Sequence, residues 1–388
     1  MFSRRVPDDR APNRLARAVA EARSRGPLLD LTLSNPTLAG LAYPPDLLRP
    51  LCGAGALTYR PEPLGLPSAR EAVSATYLGR GLSIGPDRIV LTASTSDAYS
   101  VLFKLLCEPG RSSVLTPVPS YPLFDHLTRL DGVEMRRYAL DYHGVWSLGD
   151  GEVSRAWSAD TRAVLAVSPN NPTGSIIREP DAAELVGACA SGRAALIVDE
   201  VFCDYPLCDP LPSPPSFSAP PCLLFRLGGL SKSAGLPQVK LGWMAVDGPA
   251  DLVAEALDRL ELICDSYLSV STPVQAAGPE LIERGREIHD QIAARVRGNY
   301  RTLHGRMGPE HGVTALHAEA GWSAVLRVPS TATEEQLALD LIARHAVVVH
   351  PGYFFDFPHE AFLIVSLLPD PETFARGVDS ILEHVRAA

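Results

Sequence analysis

The stretch Arg162-Ala-Val-Leu-Ala-Val-Ser-Pro-Asn-Asn-Pro-Thr-Gly174, the run from Glu179 to Ala190, and then Ala194-Ala-Leu-Ile-Val-Asp-Glu-Val-Phe202 decide the fold class. Two short apolar runs separated by a helical pattern read as strand, crossover helix and strand, the unit of a parallel sheet. The pattern extends upstream. Arg88 to Thr92 precedes a helical stretch from Ser96 to Leu106, and Ser113 to Thr116 precedes another from Tyr121 to Leu130. An α/β protein with a mainly parallel sheet is therefore expected.

Working outward, Arg10 to Arg25 reads as a short amphipathic helix forming an N-terminal arm, ahead of an extended piece from Leu28 to Pro36. The segment from Pro206 to Pro221 carries seven prolines and reads as an irregular surface loop serving as a spacer. A long helical pattern runs from Asp251 to Arg306. Trp322 to Val328, a helix from Glu334 to His345, Val347 to His350 and Phe362 to Ser366 then suggest a smaller α+β unit. The expected division is an arm with part of the small domain over 1–44, a large domain over 45–280 and a small domain over 281–388.

With 46% of 388 residues hydrophobic, the chain has ample material for a core, which excludes a disordered protein. A net charge of -10 opposes nucleic acid and anionic membrane surfaces as partners. No stretch approaches the roughly 18 apolar residues of a membrane span, and the start lacks a secretory apolar segment, so a cytoplasmic protein is expected. Seven cysteines without a C-x-x-C pair fit neither a disulfide framework nor a zinc ribbon, and no metal site is expected.

Four local signals carry chemistry. Thr92-Ala-Ser-Thr-Ser-Asp-Ala98 lies between a predicted strand and a predicted helix, where hydroxyls and backbone N–H groups form either a simple N-cap or an anion site. Asn170 and Asn171, flanked by Pro169 and Pro172, lie beyond a strand's carboxyl end, where open α/β sheets bind ligands. Asp199 and Glu200 end an apolar strand abruptly and are either solvated loop acids or buried carboxylates, which would be costly without a cationic partner. Lys232, inside the Gly/Ser-rich segment Leu227 to Trp243, is either a surface lysine or a desolvated amine able to attack a carbonyl.

Together these residues resemble the fold-type I, class I/II aminotransferase family of pyridoxal-phosphate enzymes. The matching signals run from Ser34-Asn-Pro36 through Tyr59-x-Pro-x-Pro-x-Gly-x-Pro-x-x-Arg70, Thr92 to Ala98, Pro119-Ser-Tyr-Pro122, Asn170 to Gly174 and Asp199-Glu200 to Ser231-Lys232, in the family's order. The resemblance implies a large domain built on a mainly parallel sheet of the seven-stranded type, a smaller α+β domain, and pyridoxal 5'-phosphate as cofactor.

The roles it implies are as follows. Lys232 is the Schiff-base lysine and carries the proton between the substrate and the cofactor. Asp199 pairs with the pyridinium nitrogen, Asn171 donates to the ring's phenolic oxygen, and Tyr121 stacks on the ring. Ser94, Thr95 and Ser96 form the phosphate cradle, with Lys240 where the family usually has an arginine. Tyr59 reaches the neighbouring subunit's cofactor phosphate, which implies a homodimer.

Besides Lys240, three departures stand out. Phe202 replaces a tyrosine whose hydroxyl donates to the ring oxygen, so the cofactor imine is expected to titrate higher. Ser34 replaces a glycine beside the substrate. Ile364 stands where an arginine usually grips the substrate α-carboxylate, a bidentate contact of high specificity. Arg327, on the strand from Trp322 to Val328, is one candidate replacement or a surface charge; Tyr353 is a candidate for the substrate mouth or simple packing. His350 reads as structural.

The activity expected from the resemblance is transfer of an amino group between an amino acid and a 2-oxo acid by a ping-pong scheme. A pyridoxal-phosphate lyase, decarboxylase or oxidase-like enzyme is the alternative, favoured if no arginine grips the carboxylate. A non-catalytic regulator on the same fold is the other class.

Overall fold

The computed structural model describes residues 2–8, 10–210, 215, 217, 219–308 and 312–387. Its strands are β1 (Leu29–Asp30), β2 (Ile89–Thr92), β3 (Ser113–Val118), β4 (Glu134–Tyr142), β5 (Trp146–Leu148), β6 (Thr161–Val167), β7 (Ala195–Asp199), β8 (Leu224–Gly229) and β9 (Gly242–Asp247), then β10 (Thr314–Ala315), β11 (Ser323–Arg327), β12 (Val347–Val348), β13 (His350–Pro351) and β14 (Phe362–Ser366).

The main sheet has eight strands in the order β2-β9-β8-β7-β6-β3-β4-β5. The sheet therefore carries one strand more than the expected seven, because the short β5 turns back antiparallel on β4. Only β9 and β5 run against the rest. β6 and β7 read as continuous apolar runs because helices cover both faces of the sheet. Thr95–Leu106 and Ala250–Tyr267 pack on one face through Val101, Leu102, Val253 and Leu260, while Glu179–Gly192 packs on the other through Leu185 and Cys189.

Residues 314 to 366 build a second, antiparallel sheet in the order β10-β11-β14-β13, and β1 from the N-terminal arm pairs in parallel with β12. The arm helix covers Arg14–Arg25, starting where the Asn13 side chain accepts from the backbone N–H of Ala16.

The long helical pattern after Asp251 resolves into three helices, Ala250–Tyr267, Thr272–Arg284 and Arg286–Arg306. Leu268 ends the first in a left-handed conformation, Pro273 opens the second, and Gly285 separates the second from the third. Of the proline-rich segment, residues 211–214, 216 and 218 lie outside the described residues. Its beginning is pinned: Pro206 bridges Ala320, and the Leu207 N–H donates to the Glu319 carbonyl. Among the described residues no helix is long and apolar enough to cross a membrane.

In register, Val167 of β6 lies beside Asp199 of β7, which lies beside Leu227 of β8. The carboxyl ends of these strands therefore share one edge. The sheet order reverses between β3 and β6, the kind of point where open α/β sheets bind ligands.

Candidate active site

A cavity of about 270 Å³ opens at that edge. Its wall includes Ser34, Ser94, Thr95, Tyr121, Asn171, Asp199 and Lys232. Each arrives from a different place in the chain: Tyr121 follows β3, Asn171 follows β6, Asp199 ends β7, Lys232 follows β8, and Ser94 and Thr95 follow β2.

The two carboxylates that end β7 have separate fates, because successive residues of a strand point to opposite sides. Glu200 turns away from the site and pairs with Arg226 at 2.5 Å and Arg80 at 3.3 Å. Asp199 is buried against the cavity, where the Tyr99 hydroxyl donates to Oδ2 at 3.0 Å and the Val201 N–H to Oδ1 at 3.1 Å. Burial still dominates and raises its pKa to about 6, with the Glu200 charge adding and Lys232 opposing.

Lys232 lies on the short helix Leu230–Ser233. Its Nζ is 4.9 Å from the Trp322 ring centroid and 5.6 Å from that of Phe202. Removal from water lowers its pKa, against the pull of Asp199. The Tyr205 hydroxyl donates to the Lys232 carbonyl and fixes the backbone there.

The paired asparagines also divide their work. The Asn170 amide is consumed inside the loop, donating to the Pro119 carbonyl at 3.0 Å and the Thr173 hydroxyl at 2.8 Å while accepting from Ser120 at 2.9 Å. Asn171, held by that scaffold, lines the cavity.

At the N-terminus of Thr95–Leu106, Ser94 is a true N-cap. Its oxygen accepts from the Asp97 N–H at 3.1 Å, and Asp97 accepts from the Ala93 N–H at 2.9 Å. The Thr95 and Ser96 N–H groups have no acceptor within their own helix, so the cap leaves donors over at this end. Gly242 makes this corner possible: a Cβ there would stand 2.9 Å from the main chain of Ser94.

Five expected site residues are not on the cavity wall: Ser96, Lys240, Tyr59, Arg327 and Tyr353. Lys240 is exposed on the turn after Val239, and Tyr59 is 73% exposed. Arg327 is carried away by its strand. Ser323 lines the cavity at one end of β11, and four residues at about 3.3 Å each put Arg327 about 13 Å further on. Tyr353 sits in the 3₁₀ turn Gly352–Phe355, whose period of three buries Gly352 and Phe355 together and turns Tyr353 outward, 42% exposed. Phe355 enters the cavity instead.

Ile364 does face the cavity, as does Ser366 two residues along the same strand. Sequence reasoning missed Tyr99, Trp322, Ser323, Phe355, Ser366 and the placement of His350 on the wall. Tyr99 carries a signal in hindsight, since it lies on the apolar side of the helix that opens at Thr95.

Compared with known proteins, the sequence matches the family Aminotransferase class I and II over residues 54–381. An alanine aminotransferase of Mycobacterium tuberculosis is 24% identical over 365 residues, 91% of this chain and 84% of that protein. The glutamate-pyruvate aminotransferase AlaA of Haemophilus influenzae is 26% identical over 255 residues, 64% of this chain and 62% of that one. Among solved structures, an alanine aminotransferase from Pyrococcus furiosus superimposes with a TM-score of 0.85 at 21% identity, covering 100% of each chain.

Proposed function

The chain belongs to the aminotransferase class I and II family, and on that premise we propose that it moves an amino group between an amino acid and a 2-oxo acid by a ping-pong scheme, with Lys232 as the working amine and pyridoxal 5'-phosphate as cofactor. The observation that carries the reading is the pairing, in one cavity, of a buried carboxylate that lacks a full cationic partner with a desolvated lysine.

The residues present fit that cofactor. Asp199 is buried at a cost that a cationic ring nitrogen would offset. Asn171 and Tyr121 suit the ring's oxygen and face, and the Thr95 N–H, with the Ser94 and Thr95 hydroxyls, suits a phosphate. When bound, the cofactor supplies a carbonyl to capture the amine and an electron sink to stabilise a carbanion.

The chain's own residues supply the rest. Lys232 Nζ, its pKa lowered by burial, would take the proton from the substrate Cα and carry it across to the cofactor's side. Tyr99 and the Val201 N–H keep the Asp199 carboxylate aimed at the cavity. The Phe202 and Trp322 rings exclude water around the amine.

The test is to mix the cofactor-loaded protein with a panel of amino acids and pyruvate or 2-oxoglutarate. Consumption of the oxo acid with formation of its amino acid is expected. Release of ammonia or carbon dioxide with the oxo acid untouched would instead support a lyase or decarboxylase, the second reading. That reading is favoured by the absence of arginine from the wall among the described residues.

We also propose a homodimer in which Tyr59 reaches the partner's site. Leu57 and Tyr59, 92% and 73% exposed within three residues, give an apolar surface that a second copy would cover. Sedimentation should give about twice the monomer mass of 41.6 kDa. A monomer at micromolar concentration, with full activity in Tyr59→Ala, would reject this.

A further inference from the structure

The substrate end of the cavity presents a problem of charge. An amino acid or 2-oxo acid brings a carboxylate, and a buried carboxylate needs a cation or several donors. Among the described residues of the wall, the groups able to carry positive charge are Lys232 and His350. Lys232 has the proton work, and Ile364 contributes only hydrocarbon, 1% exposed.

The hydroxyls nearby are largely spent. Thr32 donates to Asp30 at 2.6 Å, Ser366 donates to the Leu33 carbonyl at 2.5 Å, and Ser323 leans toward Asn171 at 3.5 Å. Ser34 remains at the mouth.

His350 is placed differently. It is the register partner of Ile364 across the antiparallel pair of β13 and β14, so the two side chains are neighbours on one face, with Cβ atoms about 5 Å apart. Both line the cavity. The imidazole lies 5.8 Å, centroid to centroid, from each of the Phe354 and Phe355 rings, and among the described residues it has no hydrogen-bond partner. Burial lowers its pKa, against the pull of Asp30 on β1, and a carboxylate placed beside the ring would favour the protonated form.

We propose that His350 is the residue that receives the substrate carboxylate, a role that the chain has moved from position 364 to the adjacent strand. This rests on the reading of the protein as an enzyme of amino acids and 2-oxo acids, and it makes His350 a determinant of specificity. A substrate enters with its carboxylate against the imidazole, its side chain along Ile364 and Phe355, and its amine toward Lys232.

The experiment has two arms, both on the cofactor-loaded protein, with His350→Gln and His350→Phe as variants; cofactor uptake and circular dichroism report that they fold. In the first arm, the best amino acid donor is assayed at steady state. Its KM should rise about tenfold or more in both variants while kcat stays within about threefold. In the second, calorimetry measures binding of 3-phenylpropanoate and 4-methylpentanoate against the corresponding alcohols. The wild type should prefer at least one carboxylate by about tenfold, and both variants should lose the preference.

An unchanged KM, or a carboxylate preference that survives in the variants or is missing from the wild type, overturns the assignment. Should the wild type convert no amino donor, the transamination reading fails by itself. The calorimetric arm then still decides on His350.

Discussion

Replacing Lys232 by alanine is expected to lower turnover by about 10,000-fold or more. No other amine lines the cavity among the described residues, so nothing stands ready to hold the cofactor's carbonyl or to shuttle the proton. The side chain's structural contribution is small by comparison. Its contacts with the Phe202 and Trp322 rings are worth about 1–2 kcal/mol, and the Tyr205 hydroxyl grips the backbone carbonyl, which the substitution leaves in place. The variant should therefore fold and remain able to bind the cofactor without a covalent link. Borohydride treatment followed by mass spectrometry should show the cofactor's added mass on the wild type and none on Lys232→Ala. Lys232→Arg should be equally inactive, because a guanidinium keeps the charge but neither releases its proton nor attacks a carbonyl. An alanine variant that retained a few per cent of wild-type turnover would remove Lys232 from the reaction.

The architecture was legible where the chain alternates plainly. The strands β3, β6 and β7 and the helices at 95, 179 and 334 follow from apolar runs of the right length and period, and they place Tyr121, Asn171, Asp199 and Thr95 at one sheet edge. Residues that come from short segments were harder to read. Whether position 353 or 355 enters a cavity depends on the phase of a single 3₁₀ turn, which is set by what Gly352 packs against. Arg327 reads from the sequence either as a carboxylate clamp or as a surface charge, and which of the two applies depends on its distance along β11, which leaves it exposed and off the cavity wall. β4 escaped notice because its residues Glu134-Met-Arg-Arg-Tyr-Ala-Leu-Asp-Tyr142 lie near the sheet edge, half wetted and without a clean period. His350 reads as structural from the sequence because Lys232 already supplies the proton transfer, and its cross-strand neighbour Ile364 is visible only once β13 pairs with β14.

Asp199→Asn and Glu200→Gln should change stability in opposite directions, although the residues are adjacent. Asp199 is the unusual case of a carboxylate whose pKa is raised on folding, from an ordinary value of 3.8 to about 6. Between these values the folded, cofactor-free protein holds a proton that the unfolded chain has released, so stability is greatest below pH 3.8 and falls as the pH rises through 6. The loss at neutral pH is about 3 kcal/mol. An asparagine keeps the shape and carries no charge, so the cofactor-free variant should be the more stable one. Its advantage should grow from about 1 kcal/mol near pH 4.5 to about 3 kcal/mol near pH 7.5 in denaturant titrations. Turnover should meanwhile fall about a thousandfold, since the group that would keep a ring nitrogen protonated is gone. Glu200 already has its cations, Arg226 and Arg80, and its neutralisation removes the charge from both of these contacts, the first of them to a guanidinium only 3% exposed. A loss of about 2 kcal/mol is expected from the weakened charged hydrogen bonds. Equal destabilisation by both substitutions, or an Asp199→Asn advantage that shrinks as the pH rises, would mean that the Asp199 charge is already satisfied within the protein. The cavity would then offer a cationic ring no special attraction, and the cofactor assignment would lose its physical basis.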